Sequence, residues 1–147
     1  MVTLDRLSGT EPILELLSAF DGCFPRPISA RVGDLRRHAQ KLANHAFVQA
    51  AKQDGVAAGF VAFYANDAKT SVAFLTHLAV AAPFRGQGIG LMLLSECLAT
   101  SKEAGMKAMK LEVDTDNEPA IAFSRAHGFT LAGPASSVSC FMVREDL

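Results

Sequence analysis

Three glycines at alternate positions, Gly86, Gly88 and Gly90, constrain the fold of this 147-residue chain more than any other feature. They follow an extended run that ends at Val80, and they precede apolar residues at helical spacing. A strand, a glycine-rich turn and a helix start together leave several backbone N–H groups unpaired at the positive end of the helix. Because glycine has no Cβ to hold a ligand away, the turn is suited to a phosphate or pyrophosphate group.

Arg85 adds a planar, charged donor group beside the same turn. Residue spacing excludes two familiar phosphate-binding motifs. A dinucleotide fingerprint that begins at Gly86 or Gly88 needs a further glycine at position 91 or 93, and a P-loop needs a glycine there followed by lysine. The chain has Leu91 and Leu93 at those positions. The turn fits neither motif, and a purely structural turn is the alternative.

Extended and helical patterns alternate along the chain without a repeat or a linker, which predicts one mixed α/β domain over residues 1–147. HAFVQAAKQDG, VAAGFVAFYAND and TSVAFLTHLAV are predicted to be three neighbouring antiparallel strands. Asp54 and Gly55 form the turn between the first two. KAMKLEVD alternates strictly between apolar and polar residues, so it is predicted to be a strand with one buried face, and SCFMVRE is the final strand.

Four helices are predicted, with approximate extents of residues 11–21, 32–46, 89–104 and 119–127. Thr10 precedes the first helix and Asn117 the last, and both residue types favour the N-cap position. Gly105 and Gly128 follow the last two helices, where glycine commonly closes a helix. The predicted elements therefore place the glycine turn between a strand and a helix.

Composition excludes several function classes. A net charge of −1 with 20% charged residues argues against nucleic acid as a partner. The longest apolar stretch is about ten residues, roughly half of a membrane-spanning helix, and the first residues lack a signal-peptide core, so a cytoplasmic location is expected. Cys23, Cys97 and Cys140 lack the spacing of a disulfide framework or a zinc site and are expected in the core.

Two segments together resemble a known family. LAVAAPFRGQGIG is similar to the signature of the GNAT superfamily of acyl-CoA-dependent N-acetyltransferases, in which Arg or Gln is followed by two residues, Gly, one residue, and Gly or Ala. NEPAIAFSRAHGF, at residues 117–129, is similar to the downstream segment of the same family. Two motifs at the expected separation are more specific than either alone. The resemblance covers residues 57–129.

The resemblance implies a fold and a reaction. The fold is α/β (α+β), with a mixed, largely antiparallel central sheet, helices on both faces, and a splayed strand pair that holds acetyl-CoA. The reaction is transfer of the acetyl group, without a metal, to a primary amine that attacks directly in a ternary complex. The expected acceptor is a small molecule such as an amino sugar, an amine metabolite or an amino acid. No nucleic acid or membrane partner is expected, and a homodimer is one expected state.

The resemblance also implies the residues that bind the co-substrate. The backbone of Leu78 and Val80 pairs with the pantetheine arm and the thioester carbonyl. Asn117 lies near the pantetheine, and Phe123 packs beside it. The pyrophosphate lies against the glycine turn, which comprises Arg85, Gly86, Gln87, Gly88, Ile89 and Gly90.

The catalytic residues depart from the family pattern. Many members have a tyrosine that protonates the leaving thiolate where this chain has Ser124, a far weaker acid that could act by holding a water. Tyr64, the only tyrosine, is an alternative acid or a packing residue. His77 is a candidate base because of its ordinary pKa, but strand alternation turns it away from the usual base positions unless a bulge intervenes.

Two other functions remain open from the sequence. Without the usual tyrosine, the chain could be a catalytically weak acyl-CoA-binding sensor or regulatory module. A phosphate-ligand domain unrelated to CoA is a third reading of the glycine turn. For an acetyltransferase, the acceptor pocket is expected to be built from the N-terminal helices and the loop at residues 24–31. In this loop Arg26 and Arg31 could attract an acidic group or be ordinary surface residues.

Overall fold

A computed structural model describes all 147 residues as seven strands and five α-helices. The strands are β1 (Val2–Arg6), β2 (Phe47–Gln53), β3 (Val56–Tyr64), β4 (Val72–Val80), β5 (Ala108–Asp114), β6 (Thr130–Pro134) and β7 (Ser139–Arg144). The helices are α1 (Thr10–Phe20), α2 (Ile28–Val32), α3 (Leu35–His45), α4 (Ile89–Glu103) and α5 (Glu118–Ala126). Short 3₁₀ turns occupy Asp21–Cys23 and Ala82–Phe84.

The strands form one sheet in the order β1-β2-β3-β4-β5-β7-β6. β1 with β2, β2 with β3, β5 with β7 and β6 with β7 are antiparallel pairs. β4 and β5 are parallel, because α4 connects them as a crossover. The structure therefore confirms a mixed α/β fold with a largely antiparallel sheet.

The chain divides into two compact units, each built from two segments. The first unit comprises residues 1–63 and 77–97, and the second comprises residues 64–76 and 98–147. The single domain expected over residues 1–147 stays a prediction.

The core of the first unit forms where α1 and α3 pack together and their apolar faces are buried. Phe20 of α1 contacts Phe60 of β3 edge-to-face, with ring centroids 5.2 Å apart. Asp34 caps α3 by accepting hydrogen bonds from the backbone N–H groups of Arg36 and Arg37. Gly59 of β3 lies so close to the backbone of β4 that an added Cβ would be 2.7 Å from the carbonyl oxygen of Ala79.

The core of the second unit includes the buried face of β5, which Met109, Leu111 and Val113 form as their alternation predicts. Phe129 and Met142 are buried in the same unit. Leu111 of β5 pairs with Met142 of β7, so both strands contribute side chains to this core.

Several predicted elements need correction. β1 and β6 were not predicted. The alternation in β1 covers only five residues, and β6 is exposed throughout, so neither gives a strong strand pattern. The helix predicted over residues 32–46 begins at Leu35, since Gly33 has a φ of +79° and Asp34 is the cap. Thr10 is the first residue of α1 rather than its cap.

The cysteines also differ in part from their expected place in the core. Cys97 is buried, as predicted, whereas Cys23 and Cys140 are half-buried. All three are free thiols.

Candidate active site

The glycine turn has the backbone conformation that its sequence predicts. Gly86 and Gly88 have φ angles of +81° and +79°, a region in which a side chain would be strained. A Cβ added to either glycine would meet no atom within 4 Å, so open space borders both residues. α4 begins at Ile89, and the carbonyl of Gly88 accepts its first backbone hydrogen bond, from Met92 at 3.0 Å.

This turn can hold an anion because the first N–H groups of a 15-residue helix have no partner within the helix. The macrodipole of α4 adds partial positive charge at the same end. The Ile89 side chain is buried, so this residue can contact a ligand only through its backbone. The Gln87 side chain is exposed. The residues present therefore fit a phosphate or pyrophosphate group.

Arg85 closes the turn onto the end of β4. Its Nε donates a 3.1 Å hydrogen bond to the carbonyl of Val80, and its side chain is exposed. The backbone N–H of Ala81 donates to the carbonyl of Ala58 at 2.8 Å, which fixes the chain where it leaves β4. The guanidinium therefore lies at the entrance of the turn, where its other donors can reach an anion.

The two parallel strands pair only along part of their length. The ladder joins Val72–Leu75 to Ala108–Leu111 and does not include Thr76 or Glu112, the next residues along each strand. Leu78 and Val80 are half-buried and lie on the face of β4 opposite its buried residues.

His77 lies on the buried face of β4, and only 3% of its surface is exposed. Burial and exposure alternate without a break from Val72 to Val80, so the bulge that a catalytic His77 would need is not present. Its Nε2 is 2.8 Å from Nε2 of His38 on α3, and its ring packs near those of Phe24 and Phe60. This placement suits a packing residue, and the role of His77 as the base stays a prediction.

The electrostatics of this histidine pair favour two neutral rings. Burial first, and then the charges of His38 and Arg31, lower the pKa of His77 to about 3. Burial also lowers the pKa of His38, with further contributions from Lys41 and Arg31. One Nε2 must donate its hydrogen to the other. His77 Nδ1 is buried without a hydrogen-bond partner.

Tyr64 ends β3 and belongs to the second unit. Its side chain is half-buried, and burial raises the pKa of its phenol. The hydroxyl therefore stays protonated at neutral pH, as a proton donor must. Its role as an acid stays a prediction.

The downstream motif forms α5 of the second unit. Asn117 caps this helix, because its Oδ1 accepts a 3.4 Å hydrogen bond from the backbone N–H of Ala120. Phe123 is half-buried and contacts the ring of His127, with centroids 4.6 Å apart. Ser124 is buried, with 7% of its surface exposed. The predicted contacts of Asn117, Phe123 and Ser124 with a co-substrate stay predictions.

His38, which contacts the buried His77, was given no role from the sequence. It follows Leu35 by three residues and precedes Leu42 by four, so helical spacing already placed it beside the buried face of α3. No group of three or more His, Cys, Asp or Glu side chains is arranged to hold a metal ion. None of the helices combines the length and apolar character needed to cross a bilayer.

Comparison with known proteins assigns a family. The family model described as "Acetyltransferase (GNAT) family" matches residues 13–129, most of the chain. The chain belongs to the GNAT acetyltransferase family. Both segments that carry the resemblance in the sequence lie within the GNAT match, and so do the glycine turn and α5.

Solved GNAT structures share the fold at low identity. PaiA N-acetyltransferase from Thermoplasma acidophilum, solved in complex with coenzyme A, superimposes with a TM-score of 0.80 at 18% identity, covering 99% of both chains. The Escherichia coli ribosomal-protein-S18-alanine N-acetyltransferase superimposes with a TM-score of 0.79 at 21% identity, covering 100% of this chain and 96% of the other.

A GNAT relative is also known by sequence. An uncharacterised N-acetyltransferase of Methanocaldococcus jannaschii is 34% identical over 80 residues, which is 52% of this chain and 35% of that protein. The chain spans between 20% and 35% of the length of the curated relatives that it matches.

Proposed function

We propose that this chain is an N-acetyltransferase that moves an acetyl group from acetyl-CoA to a primary amine of a small molecule. The observation that carries the proposal is the glycine turn at the start of α4. Its two glycines have positive φ and open space around them, and Arg85 lies beside it. A helix N-terminus with these neighbours suits the pyrophosphate of CoA.

The backbone at the end of β4 supplies the second part of the proposal. Acetyl-CoA brings an activated thioester, so the protein needs to orient it and to stabilise charge on its oxygen. Leu78 and Val80 lie just before the turn on one face of β4, and their backbone groups could pair with the extended pantetheine arm. The chain that holds the phosphates would thus also align the thioester.

Two proton transfers complete the reaction, because the amine loses a proton and the thiolate gains one. For the thiolate we propose a water held by Ser124, with the Tyr64 phenol as the alternative donor. The buried, neutral His77 suits a packing role better than that of the base. Solvent can remove the ammonium proton before the amine binds, and the proton that the nitrogen loses after its attack passes through the water held by Ser124 to the thiolate.

The acceptor is proposed to be a small amine that enters near residues 24–31. In this segment Phe24 packs against His77, and the Arg31 guanidinium lies 5.0 Å from the centroid of the Phe24 ring. Arg31 would favour an acceptor that carries a carboxylate or phosphate. Proteins of the same fold act on acceptors as different as a ribosomal protein and nourseothricin, so the fold alone does not select the amine. A cytoplasmic location is part of the proposal.

Two measurements on the same sample test the function. Acetyl-CoA at about 100 times its Kd should add roughly 2.7 kcal/mol to the stability of the native state and raise the Tm. Release of CoA in the presence of a panel of small amines should exceed its release without an amine.

The outcomes separate the three readings of the sequence. Binding without amine-dependent release would favour the acyl-CoA sensor. Equal affinity for ADP and CoA would favour a phosphate-ligand domain unrelated to CoA. No binding at millimolar acetyl-CoA would overturn the proposal.

A further inference from the structure

One face of α5 points away from the core of the second unit. Glu118, Ile121, Ala122 and Arg125 stand at helical positions i, i+3, i+4 and i+7 and share this face. An open depression of about 500 Å³ runs along it, which we call the α5 depression. Its lining residues are Thr115, Glu118, Ile121, Ala122, Arg125, Leu131 and Cys140.

The floor of the α5 depression is mostly apolar, and no other part of the chain covers it. Leu131 on β6 is 51% exposed, although large apolar side chains are usually buried. β6 is an edge strand whose five residues are all exposed and uncharged. Exposed apolar side chains that lie together on one surface often mark an interaction site. The surface therefore has the composition of a contact surface.

The two charges of the α5 depression have no partner in the chain. The side chains of Glu118 and Arg125 are exposed, and neither takes part in a hydrogen bond or an ion pair. They stand at opposite ends of α5, seven residues apart, with Ile121 and Ala122 midway between them. A charge pattern that reverses about its own midpoint is complementary to a copy of itself.

We propose that the α5 depression is the contact surface of a homodimer, in which α5 packs antiparallel against α5 of a second copy about a two-fold axis near Ile121 and Ala122. Glu118 of each protomer then faces the partner's Arg125, so the two-fold axis generates two equivalent ion pairs. Ala122 is small enough to let the two helices approach closely. Leu131 of each protomer is covered in the same contact.

The chemistry of the surface favours a second copy over another occupant. A different protein would need an opposite arrangement of charges, whereas a second copy supplies it by symmetry alone. The proposal does not depend on the acetyltransferase activity.

Sedimentation equilibrium of the 147-residue chain tests the proposal across micromolar concentrations. The chain should form a dimer whose Kd rises with salt, because both ion pairs are partly screened. Glu118→Arg alone and Arg125→Glu alone should each weaken the dimer about tenfold or more, since symmetry converts two attractive pairs into two repulsive ones. Combining the two substitutions should restore it.

The restored dimer is the decisive result. The combined variant places both charges unfavourably for the α5 macrodipole, so its recovery could not come from a more stable helix. Glu103→Arg on α4 makes the same charge change away from the depression and should leave the Kd unchanged. The Tm of each variant checks that it folds, and Glu118→Gln and Arg125→Gln provide milder versions.

Three results would overturn the proposal. A chain that stays monomeric at all concentrations excludes the dimer. Single charge reversals that fold and leave the Kd unchanged place the interface elsewhere. A folded combined variant that stays as weak as the single variants shows that Glu118 does not face the partner's Arg125.

Discussion

At the scale of single residues, the glycine turn can be tested apart from folding, because the chain contains a matched position. Gly88 and Gly55 have φ angles of +79° and +78°, and an added Cβ at either would meet nothing within 4 Å. Valine at either site should therefore cost a similar conformational free energy, of order 1–3 kcal/mol. Only Gly88→Val should also weaken CoA binding, measured by calorimetry, because a branched side chain would enter the phosphate site.

The interpretation depends on the difference between these two variants. If both bind CoA with the affinity of the parent, the turn is structural and does not hold the pyrophosphate. If both lose binding equally, the effect comes from stability.

Gly59 shows the opposite constraint, because close packing rather than φ excludes a side chain there. An added Cβ would lie 2.7 Å from the carbonyl oxygen of Ala79 and 3.1 Å from Cδ1 of Leu93. We expect Gly59→Ala to lower the free energy of unfolding by about 1–3 kcal/mol, measured by urea denaturation. Gly22→Ala, where nothing lies within 4 Å, should change it little. Similar values for both variants would contradict the packing argument.

At the scale of elements, α5 carries a residue with two predicted roles. Asn117 caps the helix, and the family resemblance also places it near the pantetheine. Asn117→Ala should cost about 1 kcal/mol of stability through loss of the cap, whereas Asn117→Ser should keep most of it. If the amide also contacts the co-substrate, both variants should bind CoA more weakly. CoA affinity that is lost only in the alanine variant would limit Asn117 to capping.

Elements with a strong local pattern could be predicted from the sequence, and those that depend on distant partners could not. β5 and α5 were predicted because alternation and capping residues lie within each segment. β6 was missed because it contains Gly133 and Pro134 and is exposed throughout, so only its pairing with β7 makes it a strand.

In the candidate site, too, the features set by local sequence could be predicted and the contacts between distant residues could not. The conformation of the glycine turn could be predicted from its own residues. Gly86 and Gly88 both have the positive φ that glycine adopts without strain. The contact of His38 with His77 joins residues 39 positions apart and depends on how α3 packs against the sheet. No local pattern specifies that contact, although helical spacing placed His38 toward the core.

At the scale of the whole molecule, the buried histidine pair should make stability depend on pH. The pKa of His77 is about 3 in the folded chain, against about 6.5 when exposed, so below 6.5 the unfolded chain binds a proton that the folded chain does not. The free energy of unfolding should thus be constant above pH 6.5 and fall by about 1.4 kcal/mol per pH unit toward pH 3. His38, whose pKa is also lowered, adds to the same slope.

Urea denaturation between pH 4 and pH 8 measures this slope. His77→Gln keeps a side chain that can hydrogen bond with His38 but cannot titrate, so its slope should be shallower than that of the parent. Arg31→Gln should shorten the pH range of this fall, since the Arg31 charge contributes to lowering both pKa values and its loss lets the folded chain bind protons at a higher pH. A slope identical in the parent and in His77→Gln would show that other groups control the acid sensitivity.

The single tyrosine has a practical consequence for all of these measurements. The chain has no tryptophan, so Tyr64 dominates its intrinsic fluorescence over the weakly emitting phenylalanines. This ring is half-buried at the end of β3, where its emission will change as the surrounding packing is lost. Optical unfolding curves therefore report from one known position in the chain. A Tyr64→Phe variant would need an extrinsic dye or circular dichroism to be followed at all.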